Sequence, residues 1–458
     1  MSEFRRFDRE HLQGWGKNSM TSHSNEHSKG AAETLNGKIP TTSSARTPGR
    51  FSADSFERLL ALIGSDGGGR CPFPDMDGIG HWDDLLKLAR QHFVSPFIYK
   101  RLRLLPARVP TPILESLRAD YRTNAFRNLR LLGQLHELTE AFRKSGISVL
   151  ALKGMHLIAE VYEDPPTRVV GDIDLLVQQS DLDTTADLLL RLGYASDSAV
   201  PAAAITTVRH HLEPFSRPNS TPVEVHWNTT LPSETHTQSP LSMWARSRRI
   251  RHQTIRARGL CFEDLLVHLC VHTSYHHQFD FGLRPSIDIA ELVRTKGDEM
   301  DWGLFRRLAD RAGHRRGIFL ALMLARELVG ARIPEETLEC LSPRDSSEQA
   351  LADARALLGS RTQHLKEVAK PWADLWHGDS VPARIRALAR RVFISRTELA
   401  RQYQIPPTSM RLYLYYLVRS IQLVMRWHKT GLRLLRREPT SVEVARRRAH
   451  ISTWLSQN

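Results

Sequence analysis

One short apolar segment, residues 169–177 with the sequence VVGDIDLLV, constrains the fold more than any other feature of the chain. Its branched aliphatic residues predict a buried strand, and successive side chains on a strand point to opposite faces. We therefore expect Asp172 and Asp174 to share one face, while the apolar residues between and beyond them enter a core. Two adjacent carboxylates repel each other unless a cation lies between them. The segment thus predicts a cation site on a strand.

A second segment supplies a third carboxylate. In PVEVHWN, residues 222–228, Glu224 and His226 lie on one face of a predicted short strand, opposite its valines and its tryptophan. Oxygen ligands of this kind suit Mg²⁺, whose coordination is usually completed by water and substrate phosphate. Either motif alone is more often a turn or a solvated strand edge. Their order along the chain, after a turn at Lys153-Gly154 and a helix, favours a site for phosphate chemistry.

A wider set of residues carries a family resemblance. These are Leu152, Lys153, Gly154, Arg168, Asp172, Asp174, Leu175, Leu176, Gly193, Tyr194, Glu224, His226, Trp227, His272, Asp288 and Trp302. With them the chain resembles the minimal nucleotidyltransferases of the DNA polymerase β superfamily, and most closely a bacterial group of uncharacterised nucleotidyltransferases. The resemblance spans residues 110–315.

The resemblance implies a metal-dependent enzyme that moves a nucleoside monophosphate from an NTP, the donor substrate, to an unidentified hydroxyl acceptor. In this interpretation Asp172, Asp174 and Glu224 are the catalytic residues and bind Mg²⁺, with Mn²⁺ as an alternative ion. The mechanism that the resemblance implies has Asp172 and Asp174 hold Mg²⁺ ions that bridge the triphosphate and stabilise the attacking and leaving oxygens. Glu224 would help to bind the second metal ion or would activate the attacking hydroxyl. The acceptor and the base of the nucleotide, ATP or another, stay open at this point.

The chain departs from the family pattern at the phosphate-binding turn. The superfamily generally has Gly-Ser or Gly-Gly where this chain has Lys153-Gly154. A helix N-terminus still offers free amides to an anion, and Lys153 adds a point charge. We therefore expect Lys153, the Gly154 amide and Arg168 to bind the phosphates. Arg168 has a second interpretation, in which it braces its loop through backbone carbonyls.

The positive charge of the chain is concentrated near its end. The net charge is +14, and between Arg384 and His450 there are 16 Arg or Lys residues against three acids. Such a region binds nucleic acid, anionic lipid or an acidic protein, or it is the solvated surface of a helical subdomain. It supports a second hypothesis, a catalytically inactive nucleotidyltransferase fold that acts as a binding or regulatory module through its basic C-terminal helices.

Several other classes of protein find no support in the sequence. The four cysteines are scattered without C-x-x-C spacing, the N-terminus lacks the apolar run of a signal peptide, and no stretch is long and apolar enough for a membrane span. We therefore expect a cytoplasmic protein. The sequence contains no G-x-S-x-G elbow, Walker loop or dinucleotide-binding glycine motif.

The predicted fold class is α+β, a small mixed-sheet nucleotidyltransferase-like core flanked by helical regions. Apolar periodicity and breakers divide the chain into five predicted parts. They are a disordered tail (1–50), a helical lead-in (51–145), the α/β core (146–235), a helical domain packed on the core (236–335) and a basic helical C-terminal region (336–458).

Within these parts, individual patterns predict helices, strands and one unusual stripe. Apolar residues three or four apart, from Phe126 to Phe142, predict the buried face of a long helix, and strands are expected near 206–216 and 222–228. His268, His272 and His276 follow each other four apart on a predicted helix. This stripe is structural, contacts substrate or binds a metal. Asp288, between two isoleucines, is expected to be a buried or capped acid.

Overall fold

The computed structural model describes residues 53–64, 81–105, 108–196, 209–230, 240–252, 255–359, 393–396, 399–400, 405–406, 408–422 and 439–457. These residues belong to one compact unit, Arg50–Asn458. The predicted tail lies outside them, and so does most of the stretch between 360 and 438. The finer division of the chain into domains stays a prediction. None of the described helices combines the length and the apolarity needed to cross a bilayer.

Helices form most of the described chain. In chain order they are α1 (Ala53–Gly64), α2 (Trp82–Gln91), α3 (Ser95–Leu102), α4 (Thr111–Lys144), α5 (Lys153–His156), α6 (Leu182–Arg191), α7 (Pro240–Arg246), α8 (Phe262–Val271), α9 (Arg284–Lys296), α10 (Trp302–Arg311), α11 (Arg315–Val329), α12 (Glu335–Leu341), α13 (Glu348–Gly359) and α14 (Pro439–Ser456). Residues 412–422 are also helical. Two π-turns, Leu157–Val161 and His272–His276, continue α5 and α8.

A mixed sheet carries the predicted acidic residues. Its strands are β1 (Val149–Ala151), β2 (Ile173–Val177), β3 (Val223–His226), β4 (Arg248–Arg249) and β5 (Arg258–Gly259). They lie in the order β3-β2-β1-β5-β4, so β2 has antiparallel β1 on one side and parallel β3 on the other. The predicted fold class is confirmed, because helical regions flank a small mixed sheet.

Two strand predictions differ from the structure. Over 209–216, the described part of the predicted strand 206–216, the structure has isolated bridges, one from His211 to His226 and one from Phe215 to Val223, in place of a regular strand. Conversely, β4 and β5 lie within residues 236–335, for which the sequence predicts a helical domain. Each has two residues, which is too short to show an alternating pattern.

The sheet separates two hydrophobic cores. On one face, Ile173, Leu175 and Val177 of β2 pack with the buried side of α4 and α6. On the other face, Leu176 joins a larger core that contains α8, α9 and α11. Because side chains alternate along a strand, Asp174 lies on the same face as Leu176. The candidate site therefore lies between the sheet and the helices of the second half of the chain.

The long helix α4 buries a different stripe from the one predicted. Leu135 and Phe142 are fully buried, whereas Phe126 and Leu129 are 67% and 69% exposed. A step of three residues falls about 60° short of a full helical turn, so after three steps a side chain faces the opposite side. Phe126 lies three such steps before Leu135. The apolar spacing predicts a helix here correctly, but it does not mark one continuous buried face of that helix.

Gly146 ends α4 and directs the chain into the sheet. Its φ is +72°, a left-handed conformation that glycine adopts without strain. The amide of Ile147 then donates back to the carbonyl of Phe142 at 3.0 Å, a common way to close a helix. The strand β1 begins three residues after Gly146.

The π-turn at His272–His276 packs tightly on α11. At Gly317, an added Cβ would overlap the ring of Tyr275 and lie 2.5 Å from Oγ of Ser274. Ser274 is fully buried, and the half-buried ring of Tyr275 packs edge-on against His314 at a centroid distance of 4.3 Å, so movement of either neighbour would disturb existing packing. The absence of a side chain at Gly317 is what lets the turn approach the helix.

Gly317→Ala tests this packing. Alanine favours a helix by up to about 1 kcal/mol over glycine, but forcing a methyl group into a filled core costs about 1–3 kcal/mol. We expect a net loss in the free energy of unfolding, measured by chemical denaturation. Gly133→Ala is the matched control, because Gly133 lies in α4 with no atom within 4 Å of an added Cβ, and it should stabilise the protein. Equal stabilisation by both changes would contradict the close approach.

Candidate active site

The structure brings Glu224 beside the aspartate pair. Asp174 and Glu224 are register partners across the parallel strands β2 and β3. Asp172 lies two residues before Asp174, on the same face. Ligand atoms of Asp174, Glu224 and His226 all lie within 4.8 Å of one another. In the described part of the chain, this is the only group of three or more acidic, histidine or cysteine side chains close enough to hold a metal ion.

His226 is a site residue that the sequence-based selection of acids missed. Its Nε2 lies 2.8 Å from Oδ1 of Asp174 and 3.6 Å from Oε2 of Glu224. Burial and the charge of Lys153 lower its pKa, but hydrogen bonds to the two carboxylates outweigh them and raise the pKa overall. The signal was present in the sequence, because Glu224 and His226 are two apart on one strand, as Asp172 and Asp174 are.

Lys153 places its ammonium directly on the central carboxylate. Its Nζ lies 2.9 Å from Oδ1 of Asp174, and the Lys153 side chain is 14% exposed. The amide of Leu152 bonds the carbonyl of Asp174 at 3.0 Å, which extends the β1–β2 pairing up to this lysine. Burial lowers the pKa of Lys153, whereas the charges of Asp174 and Asp172 raise it, and the net result is an increase. The lysine is therefore charged.

The three carboxylates differ in their electrostatic surroundings. Burial raises the pKa of Asp174, but the charge of Lys153 and the hydrogen bond from His226 bring it well below its usual value. Burial and the charge of Asp174 raise the pKa of Asp172 to about 6, against the opposing effect of Lys153. Burial also raises the pKa of Glu224, which the His226 hydrogen bond then lowers. Asp172 is thus the acid with the least compensated charge.

Arg168 forms a buried ion pair next to this turn. Its Nε and Nη2 lie 3.1 and 2.8 Å from the two carboxylate oxygens of Asp288, and Tyr162 donates its hydroxyl to the same carboxylate at 2.7 Å. Nη1 of Arg168 bonds the carbonyl of Val169. An added Cβ at Gly154 would lie 2.5 Å from that Nη1. The guanidinium is thus held between α9 and the turn, and Asp288 is buried as expected.

Two asparagines of α4 hold the loop that leads into the aspartate strand. Nδ2 of Asn124 bonds the carbonyls of Pro166 and Arg168 at 2.7 and 3.0 Å, and Nδ2 of Asn128 bonds those of Pro165 and Arg168 at 2.8 and 3.0 Å. Both asparagines are buried. Apolar periodicity does not identify these two asparagines. Polar residues four apart on the buried stripe of a helix nevertheless predict buried hydrogen bonds, because buried polar groups are nearly always hydrogen-bonded.

A cluster of imidazoles adjoins the acidic group through His226. It comprises His210, His211, His226, His268, His272, His276 and His277. Neighbouring rings have centroids 4.3–5.9 Å apart. Burial and the charge of Lys153 lower the pKa of every member except His226, for His276 to about 4. These rings are therefore neutral near pH 7.

The π-turn explains one contact within this cluster. A π-turn contains an extra residue, so side chains five apart come to face the same side. The amide of His277 bonds the carbonyl of His272 at 3.2 Å, and their Nε2 atoms lie 3.0 Å apart. The predicted stripe therefore changes direction after α8. Among described residues, the cluster supplies only His226 to the group that could hold a metal, and a structural or substrate-contacting role of the other histidines stays a prediction.

Comparison with known protein families decides the assignment. A family model described as uncharacterised nucleotidyltransferase matches residues 80–330, more than half of the chain. The chain belongs to this nucleotidyltransferase family. The match contains every site residue described above and confirms the family predicted from the sequence. No curated protein and no solved structure gives a significant match.

The buried pair between Arg168 and Asp288 yields a test of stability. Asp288→Ala leaves a guanidinium buried without its partner, and removal of one member of a buried ion pair costs about 3–5 kcal/mol. We expect a loss of this size in the free energy of unfolding, measured by urea denaturation. Glu57→Ala removes a similar contact to Arg355 whose side chains are 55% and 39% exposed, and it should cost less than about 1 kcal/mol. Similar losses for the two variants would contradict a buried role for Asp288.

Proposed function

We propose that this nucleotidyltransferase transfers a nucleoside monophosphate from an NTP to a hydroxyl acceptor at a divalent-metal centre formed by Asp172, Asp174 and Glu224. The observation that carries the proposal is the register pairing of Asp174 with Glu224, because it brings carboxylates from separate strands to one point. Such a concentration of negative charge is unfavourable unless cations balance it. A divalent cation bound by these carboxylates would serve nucleotidyl transfer.

The residues present fit a divalent ion. Asp174 and Glu224 offer carboxylate oxygens within 4.8 Å of each other and of an imidazole nitrogen of His226, and Asp172 adds a further carboxylate on the same face. Nε2 of His226 is engaged by Asp174 at 2.8 Å, so the carboxylates would supply the ligands, and oxygen ligands of this kind suit Mg²⁺ or Mn²⁺. The metal, when bound, would neutralise charge on the triphosphate and on the oxygens that attack and leave phosphorus.

The residues of the chain would perform the remaining tasks. Glu224 has a side chain that is 26% exposed, which makes it accessible to an acceptor, and its carboxylate would take the proton of the attacking hydroxyl. The acceptor oxygen then forms a bond to the α-phosphorus while the bond to pyrophosphate breaks. His226 would keep Asp174 in position through the 2.8 Å contact. Catalysis would depend on positioning and charge compensation.

The phosphate contacts are also part of this proposal. Nζ of Lys153 lies 2.9 Å from Oδ1 of Asp174, and Gly154 is the next residue of the same turn; the ammonium and the Gly154 amide would bind the phosphates. Arg168 bonds Asp288 with two of its nitrogens. We propose that it supports the turn beneath the phosphates through Gly154, a role that agrees with its interpretation as a brace.

Glu224→Gln and Asp172→Asn test the assignment. Each change removes one negative charge and keeps the size of the side chain, so transfer of label from [α-³²P]NTP to acceptors of a cell extract should fall at least about 100-fold, since a metal centre contributes several kcal/mol. Asp183→Asn, at an exposed position of α6, is the matched control and should keep full transfer. Undiminished transfer by both site variants would exclude this centre.

A second test identifies the donor without knowledge of the acceptor. A ligand that binds only the folded state raises its stability by about 2.7 kcal/mol at 100 times its Kd. We expect the melting temperature of the full chain to rise with one or more NTPs in the presence of Mg²⁺. The rise should be smaller for Glu224→Gln. No change with any of the four NTPs would argue against a nucleotide donor.

A further inference from the structure

We propose that the centre binds one divalent cation instead of two, and that the ammonium of Lys153 takes the electrostatic place of the second ion. The inference rests on the proposed function, because it concerns the metal content of the same site. Oδ1 of Asp174 already has two close partners. This atom has Nζ of Lys153 at 2.9 Å and Nε2 of His226 at 2.8 Å.

The two contacts limit what Asp174 can offer to metals. A carboxylate oxygen has about two lone-pair directions, so Oδ1 is saturated by its two neighbours. Only Oδ2 remains for coordination. A carboxylate that bridges two metal ions needs both of its oxygens or an oxygen shared by the two ions. With one free oxygen, Asp174 is a ligand for a single ion.

The charge of the site also favours a single divalent cation. Asp172, Asp174 and Glu224 form a compact negative group, and Lys153 interacts electrostatically with all three. An ammonium held 2.9 Å from a carboxylate whose side chain is 2% exposed is a fixed positive charge in a weakly screened position. It already balances part of the charge that a second divalent ion would balance. The same ammonium also repels a cation that approaches Oδ1.

The backbone holds the lysine in this position. Lys153 has a φ of +39°, in the left-handed region that residues other than glycine rarely adopt. The next residue cannot move freely, since Gly154 contacts Arg168, which Asp288 holds. Residues in such conformations persist only where their surroundings impose them. The ammonium is therefore part of the built site and not a mobile surface charge that happens to lie nearby.

The metal content can be counted directly. The full chain is dialysed to equilibrium against Mn²⁺ and a triphosphate analogue with a non-hydrolysable α–β linkage, and bound Mn²⁺ and bound nucleotide are both measured. We expect one Mn²⁺ per bound nucleotide for the wild type. Lys153→Met removes the ammonium at similar length and should raise the ratio to two. Lys153→Arg keeps the charge and should keep the ratio at one.

A matched control separates this effect from a general loss of positive charge. Lys296 has a side chain that is 15% exposed, close to the 14% of Lys153, but it pairs with Glu299. Lys296→Met should bind one Mn²⁺ per nucleotide. Circular dichroism and thermal melting verify that each variant is folded.

The outcomes distinguish this inference from the function on which it rests. Two ions per nucleotide in the wild type would overturn the inference and leave the metal centre in place. An unchanged ratio in folded Lys153→Met would show that the lysine does not exclude the second ion. If neither Mn²⁺ nor nucleotide is retained, the proposed function itself fails, and the inference fails with it. Even if a variant does not fold, the ratio of bound Mn²⁺ to bound nucleotide in the wild type decides whether the centre binds one ion or two.

Discussion

The contact of Lys153 and His226 with one oxygen of Asp174 is the interaction on which the site depends. It joins three segments of chain, the turn after β1, strand β2 and strand β3, through a side chain that is 2% exposed. A buried carboxylate is stable only when it is paired and hydrogen-bonded. The pairing of β1 and β3 with β2 brings Lys153 and His226 to this carboxylate. The order of the strands therefore determines which groups surround Asp174.

This arrangement continues outward through a series of contacts. The unusual φ of Lys153 requires a fixed neighbour, and Gly154 has one in Arg168. Arg168 in turn is bound by Asp288 of α9, a helix of the core on the same side of the sheet as Asp174. The family model covers all of these positions. The helices that follow the sheet therefore contribute to the position of Lys153, although the three carboxylates of the candidate site all come from the sheet and the residues next to it.

Elements with a regular period could be predicted from the sequence, and elements without one could not. Alternation predicts the correct faces of β2 and β3 for Asp174 and Glu224, and it places His226 beside Glu224 but does not by itself mark this histidine as a site residue. The three-residue spacing in α4 predicted a helix but not its buried face, because that spacing drifts around the helix axis. The left-handed Lys153 and the π-turns arise from contacts between distant segments, which a local pattern does not contain.

The asparagine pair of α4 has a consequence for the independence of the sheet. Asn124 and Asn128 bind carbonyls of the loop that enters β2, and they lie in a helix that ends before the first strand begins. A fragment cut between α4 and β1 would lose these four hydrogen bonds and the apolar side of α4 that covers one face of the sheet. The sheet that carries the acidic residues is thus not an autonomous module. A transplant of this sheet into another protein would need the preceding helix to keep these contacts.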